Sequence, residues 1–430
     1  MDKKILVVTM DCFSKYNSAT TANTFETLFK NYNPKNLASL YLREEVPSGG
    51  ACSKYFQISE NAVIKSVIKR NVKTGKLFDA NNVELTSEDQ KNIQKTKERY
   101  KKHGTKRNWL LLFVREFLWK IGKWKSKELG EFLDEFKPDI IIYGMEGYGY
   151  FHRIVRYALK RTGAKGVGYF WDDNFTFVQR AKTPAFLLHR SMQRSALKKT
   201  AKLTQGYFAI SEKTKREADE FFKINSTVIT KPVDIYPFTP PSFSGDKIKI
   251  VYTGNLKIGR FDSLKLISKV LDENKEFENK LSIDVYSSTF IPDNELEKLN
   301  GAINFKGAVP SNEIFDIQKS ADVLLLLEDV LGKHKKIARL SFSTKVTDYL
   351  GQGKVILSIG LNDLASSEYL KANSCAMIAE NESEIKNAFL EFIGNRENLL
   401  TYASNAHSVA VKNHSREIIE SRFYDKLESL

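Results

Sequence analysis

SFSTKVTDYLGQGKVILSI, residues 341–359, reads as a loop, a short helix, a glycine stop and a buried strand. Ser343 or Thr344 is placed to cap the helix, because a hydroxyl there can accept from the amides of the first turn. Val346, Tyr349 and Leu350 recur at helical spacing and mark a core face. Gly351 and Gly353 end the helix where a left-handed residue is needed, and VILSI has the continuous apolar text of a parallel-sheet strand. At the helix mouth stand two hydroxyls, Lys345 and, one turn on, Asp348. Backbone amides plus an ammonium suit a diphosphate, and a nearby acid suits ribose hydroxyls. The plainer reading is a capped helix with a solvated lysine.

The same alternation of strand and helix runs outward in both directions. Upstream, KIVYTG, LSIDVYS, INFKG and ADVLLLL are strands separated by helical segments. Four of the ten prolines (Pro232, Pro237, Pro240 and Pro241) fall in TKPVDIYPFTPPSFSGDK and mark a linker, because proline density of that kind breaks any element. Before it a second series begins at Ile5–Met10 and continues through Ile140–Tyr143, Gly166–Phe170 and GYFAISEKTKREADEFF. Two α/β domains follow, each a doubly wound, Rossmann-like sheet, facing across a cleft where a ligand meets the carboxyl ends of the strands. The expected boundaries are 1–232, a linker at 233–247, a second domain at 248–408, and a terminal helix, 409–430, returning to the first domain. Residues 45–105 are lysine-rich and polar and read as an excursion from the core fold.

At 430 residues the chain has ample length for two cores. Cys12, Cys52 and Cys375 are odd in number and share no close spacing, which speaks against a disulfide framework or a zinc site and for a reducing compartment. MDKKILVVTMD reads as a first strand, not a signal peptide, and no apolar run is long enough to span a bilayer. The formal charge of +15 calls for a polyanionic partner. Residues 101–127 hold nine Lys/Arg against one acid, +8 of that total, together with Trp109, Trp119 and Trp124. Leu110, Phe113, Phe117, Ile121 and Trp124 step at helical intervals, so the segment reads as an interfacial amphipathic helix. Trp109, Phe113, Trp119, Lys120, Lys123 and Trp124 are its expected contacts with an anionic membrane, on the inner, cytoplasmic face. The alternative is a domain helix whose stripe packs on the sheet.

These segments resemble the GT-B glycosyltransferases, and among them the large retaining family 4. KPDIIIYG, GYFAISEKTKREADEFF, KPVDIYPFTP, INFKGAVPSNEIFDIQKSADVLLLL and STKVTDYLGQGKVIL match that family's signatures in order and spacing, over about residues 130–365. The resemblance implies metal-independent transfer of a sugar from a nucleotide diphosphate donor to a glycan or polyprenyl-linked acceptor, with retention and no cofactor. It implies Lys345 and Arg260 as the cations stabilising the leaving diphosphate, with Gly254, Asn255, Lys257, Gly307, Ser343, Thr344 and Asp348 about the donor. Asn255 stands where the family has arginine, and Lys257 is its candidate replacement. The first of two family glutamates falls on Leu340, leaving Glu328 or Asp329 to serve. The family's N-domain histidine has no counterpart in WDDNF, where Asp172 or Asp173 either orients an acceptor hydroxyl or caps the next helix. Of the six histidines, His152 is the one within reach of the cleft. A nucleotide-sugar epimerase of the same fold and a non-catalytic polyanion-binding protein are the competing readings; no nucleic-acid reading motif is present.

Overall fold

The computed structural model describes residues 2–13, 20–47, 51–69, 71–79, 93–94, 109–178, 183–243, 245–332 and 334–430. Residues 101–108 of the basic segment and most of 80–100 lie outside it. The chain forms two compact units, Met1–Phe177 with Ala181–Lys231 and Glu420–Leu430, and Val178–Arg180 with Pro232–Ile419.

In the first unit the strands are β1 (Ile5–Thr9), β2 (Leu37–Tyr41), β3 (Lys54–Ile58), β4 (Gly75–Asp79), β5 (Ile140–Gly144), β6 (Lys165–Phe170), β7 (Gly206–Ala209) and β8 (Thr227–Val228). The helices are α1 (Thr20–Leu28), α2 (Glu60–Lys65), α3 (Trp109–Ile121), α4 (Lys127–Phe136), α5 (Gly149–Thr162), α6 (Pro184–Ala201) and α7 (Glu212–Phe222). The sheet order is β4-β3-β2-β1-β5-β6-β7-β8, parallel except for β4 against β3. Every residue of β1, β2 and β5 is buried, as a sheet covered on both faces requires. The expected excursion at 45–105 is corrected in part: β3 and β4 extend the sheet.

In the second unit the strands are β9 (Ile248–Thr253), β10 (Leu281–Tyr286), β11 (Ile303–Gly307), β12 (Val323–Leu327), β13 (Val355–Ile359) and β14 (Met377–Ala379). Its helices are α8 (Arg260–Glu273), α9 (Lys275–Lys280), α10 (Asp293–Leu296), α11 (Ile314–Lys319), α12 (Thr344–Gln352), α13 (Ala365–Ala372), α14 (Glu382–Gly394) and α15 (Arg396–His414). The order β11-β10-β9-β12-β13-β14 is parallel throughout. Both sheets are doubly wound, with the winding reversing at β1/β5 and at β9/β12. In such sheets ligands bind outside the carboxyl ends of the strands at the reversal. The last helix, α16 (Arg416–Glu428), begins after a break at Ser415, where Val233 N donates to His414 O and Arg416 N to Val233 O. Its end packs on the first unit, with Phe423 against Phe29 and Phe208.

Candidate active site

The loop after β9 leaves the sheet through Gly254, at φ 149°, a region that glycine adopts without strain. A side chain there would overlap Lys345 Cε, so Gly254 is what lets the lysine lie against the end of β9. Lys345 Nζ sits 5.8 Å from the centroid of Tyr252. The loop then passes Ile258, a β-branched residue held at φ 60°, and Gly259 at φ 80° before entering α8 at Arg260.

Arg260 is fixed on three sides. Its Nη2 donates to both carboxylate oxygens of Glu328 at 3.0 Å, Nε donates to Leu327 O at 3.0 Å, and Nη1 donates to Asn255 Oδ1 at 2.9 Å. Glu328 directly follows β12, so this pair bridges the β9/β12 reversal. Asn255 thus orients the guanidinium, while Lys257 is exposed and outside the cluster. Asp329 is a loop support: it is 2% exposed and accepts from the amides of Leu331, Gly332 and His334. Of the two acids proposed to replace the missing glutamate, Glu328 lies in the site.

α12 brings Lys345 to the same place. Ser343 takes the extended N-cap backbone at ψ 132°, but its hydroxyl makes no capping hydrogen bond, so the first-turn amides of α12 lack a side-chain cap. The expected hydroxyl cap is corrected on this point. Beneath the helix, Tyr349 Oη donates to Leu325 O at 3.2 Å and lies 3.4 Å from Thr253 Oγ1, which ties α12 to β12 and β9. Burial, and then the Arg260 charge, push Lys345 down to about 8, with Glu328 and Asp348 opposing. Asp348 lies on the helix beside it, and Gly307 closes β11 at φ 74° with open space on its Cα.

The first unit has its own group at the β1/β5 reversal. Asp11 pairs with Arg43, and Glu146 stands two residues after the end of β5. Burial, then Asp172 and Asp11, push the Glu146 carboxyl up to about 8. Glu146 was not singled out in the sequence, although its place between a buried strand and Gly147 was a signal. Asp172 is exposed near it, whereas Asp173 is fully buried and caps its own turn, accepting from Thr176 N at 2.9 Å and from the Thr176 hydroxyl. Asp173 thus closes a local turn, and the expected cap of the next helix is corrected: Thr183 caps α6. His152 is fully buried, contacts Glu146 O at 2.8 Å, and burial drives it down to about 4, so it is not a proton carrier facing a ligand.

The expected membrane contacts separate into two groups. Trp119 is fully buried, stacked on Tyr150 at 4.6 Å, with Nε1 donating to Glu60 at 3.0 Å. Trp124 is 7% exposed and packs edge-on against Tyr157. Neither faces solvent. Trp109 and Phe113 contact His189 of α6, and Lys120 and Lys123 are exposed. Among the described residues no helix is long and apolar enough to cross a membrane, and no group of three or more His, Cys, Asp or Glu could hold a metal ion.

No family model and no curated protein matches the sequence. Solved structures do match. Anabaena Alr3699/HepE in complex with UDP superposes at a TM-score of 0.63 with 12% identity, over 99% of this chain and all of that one. The α,α-trehalose 6-phosphate synthase of Burkholderia multivorans gives 0.59 at 10% identity, over all of this chain and 97% of that one. The UDP-forming synthase of Burkholderia xenovorans, in complex with glucose-6-phosphate, gives 0.60 at 11% identity over 99% of this chain and all of that one. With two doubly wound sheets and full-length correspondence to these structures, the chain has the GT-B fold.

Proposed function

We propose that the protein is a glycosyltransferase that takes a sugar from a nucleotide diphosphate donor, with retention and without a metal, and delivers it to a glycan or polyprenyl-linked acceptor. The observation that carries the reading is Lys345, held against Gly254 at the mouth of α12 and beside the Arg260–Glu328 pair, at the β9/β12 reversal. When the bond from the sugar to the diphosphate breaks, negative charge grows on the leaving group. Fixed amides and an ammonium already in place stabilise that charge without reorganising. Arg260 adds a second positive charge, oriented by Asn255 and Glu328, and Asp348 is placed for ribose hydroxyls. Among the similar structures are complexes with UDP and with UDP-glucose, which makes uridine donors the first to test. In the first unit, Glu146 and Asp172 suit acceptor hydroxyls. The likeness to family 4 rests on the signatures quoted above.

The test is a panel of nucleotide sugars offered to the full-length protein, with released nucleoside diphosphate as readout. Turnover with one donor class is expected, and Lys345→Ala should lower it at least about tenfold at an unchanged melting temperature. No release with any donor, or full activity in the folded variant, would remove the assignment.

A further inference from the structure

Two helices of the first unit bury part of their charge and leave large apolar side chains exposed. α3 turns Arg115 and Glu116 inward: Arg115 Nε donates to Glu60 at 2.7 Å, and Glu116 accepts from Gly149 N at 2.6 Å. It leaves Leu111 63%, Phe117 58% and Ile121 47% exposed. α6 does the same. Arg190 is 3% exposed and donates to Asp173 O at 3.0 Å, whereas Leu188 is 58% and Met192 44% exposed. The helices meet through Trp109, 5.9 Å from Phe186 and 5.5 Å from His189, so the two apolar rows flank one seam.

The charge is distributed to match. Among the described residues, Lys120, Lys123 and Lys125 at the end of α3 and Lys198, Lys199 and Lys202 at the end of α6 are exposed. We propose that α3 and α6 together form a docking platform for an anionic lipid bilayer. A bilayer supplies an apolar layer for the leucines and a negative surface for the lysines at their edges. A second copy supplies only the first and brings a like charge. Lys120 and Lys199 stand exposed at this platform.

Full-length protein is sedimented with vesicles of phosphatidylcholine alone and of phosphatidylcholine mixed with phosphatidylglycerol. Binding to the mixed vesicles is expected, at least about tenfold weaker to the neutral ones and weakened by salt. The pair Leu188→Ser/Met192→Ser should weaken it at least about tenfold without lowering the melting temperature. Lys120→Glu/Lys199→Glu should do so by about fivefold or more per position. Leu111→Ser/Phe117→Ser gives an independent arm on α3. Wild type that fails to bind, or binding untouched by all three variants, overturns the proposal. Self-association abolished by the same apolar pairs, with no vesicle binding, overturns it in favour of a second copy. The assay reads no sugar transfer, so failure here leaves the glycosyltransferase reading standing.

Discussion

At Lys345 burial and chemistry pull in opposite directions. Burial and the Arg260 charge disfavour the ammonium and bring its pKa to about 8. A bound diphosphate would favour it. The protein should therefore take up a proton on binding once the pH reaches about 8, and affinity should fall as pH rises further, by at most about tenfold per unit. Titration calorimetry with UDP in buffers of different ionisation enthalpy measures that uptake, and Lys345→Ala should abolish it. A wild-type affinity that is flat above pH 8 would remove Lys345 from the diphosphate. The lysine was legible in the sequence because a helix mouth before a glycine stop is a local pattern. The role of Asn255 was less so, since its carbonyl acts through Arg260 and only the fold brings the two together. Glu146 escaped for a related reason: what distinguishes it is the company of Asp11 and Asp172, each from a different strand end.

At the scale of elements, the strands were the easy part, because a buried parallel strand is written in one continuous apolar run. Helix α3 shows the limit. Its periodic stripe was plain, but periodicity marks a stripe without saying which way it faces. The tryptophans that suggested an interface are divided by tertiary packing, and Trp119 is a core residue. Trp119→Ala should cost about 3–5 kcal/mol and lower the melting temperature of the first unit by roughly 10 °C. Phe117→Ala, on the exposed side, should stay within about 0.5 kcal/mol. Thermal unfolding of the two variants decides it, and equal costs would contradict the burial described here. Helix α6 was passed over, although Thr183 followed by Pro184 is a start signal, with the Thr183 hydroxyl accepting from Phe186 N at 3.3 Å. It buries Arg190 and exposes Leu188 and Met192, which hides it from any reading that takes apolar as inward.

For the whole molecule, the architecture followed from the doubled strand–helix alternation and the proline cluster, while the sheet orders did not, since strand adjacency is set by long-range pairing. Those orders place the reversal at β9/β12, and with it the proposed diphosphate. Hydrogen exchange on the full-length protein, with and without UDP, GDP or dTDP, tests that placement. Slowed exchange is expected in the loop 254–260, at 328–332 and in the first turn of α12, 343–347. Nucleotide binding that leaves those three segments unchanged, or protects a different strand end, would contradict the account.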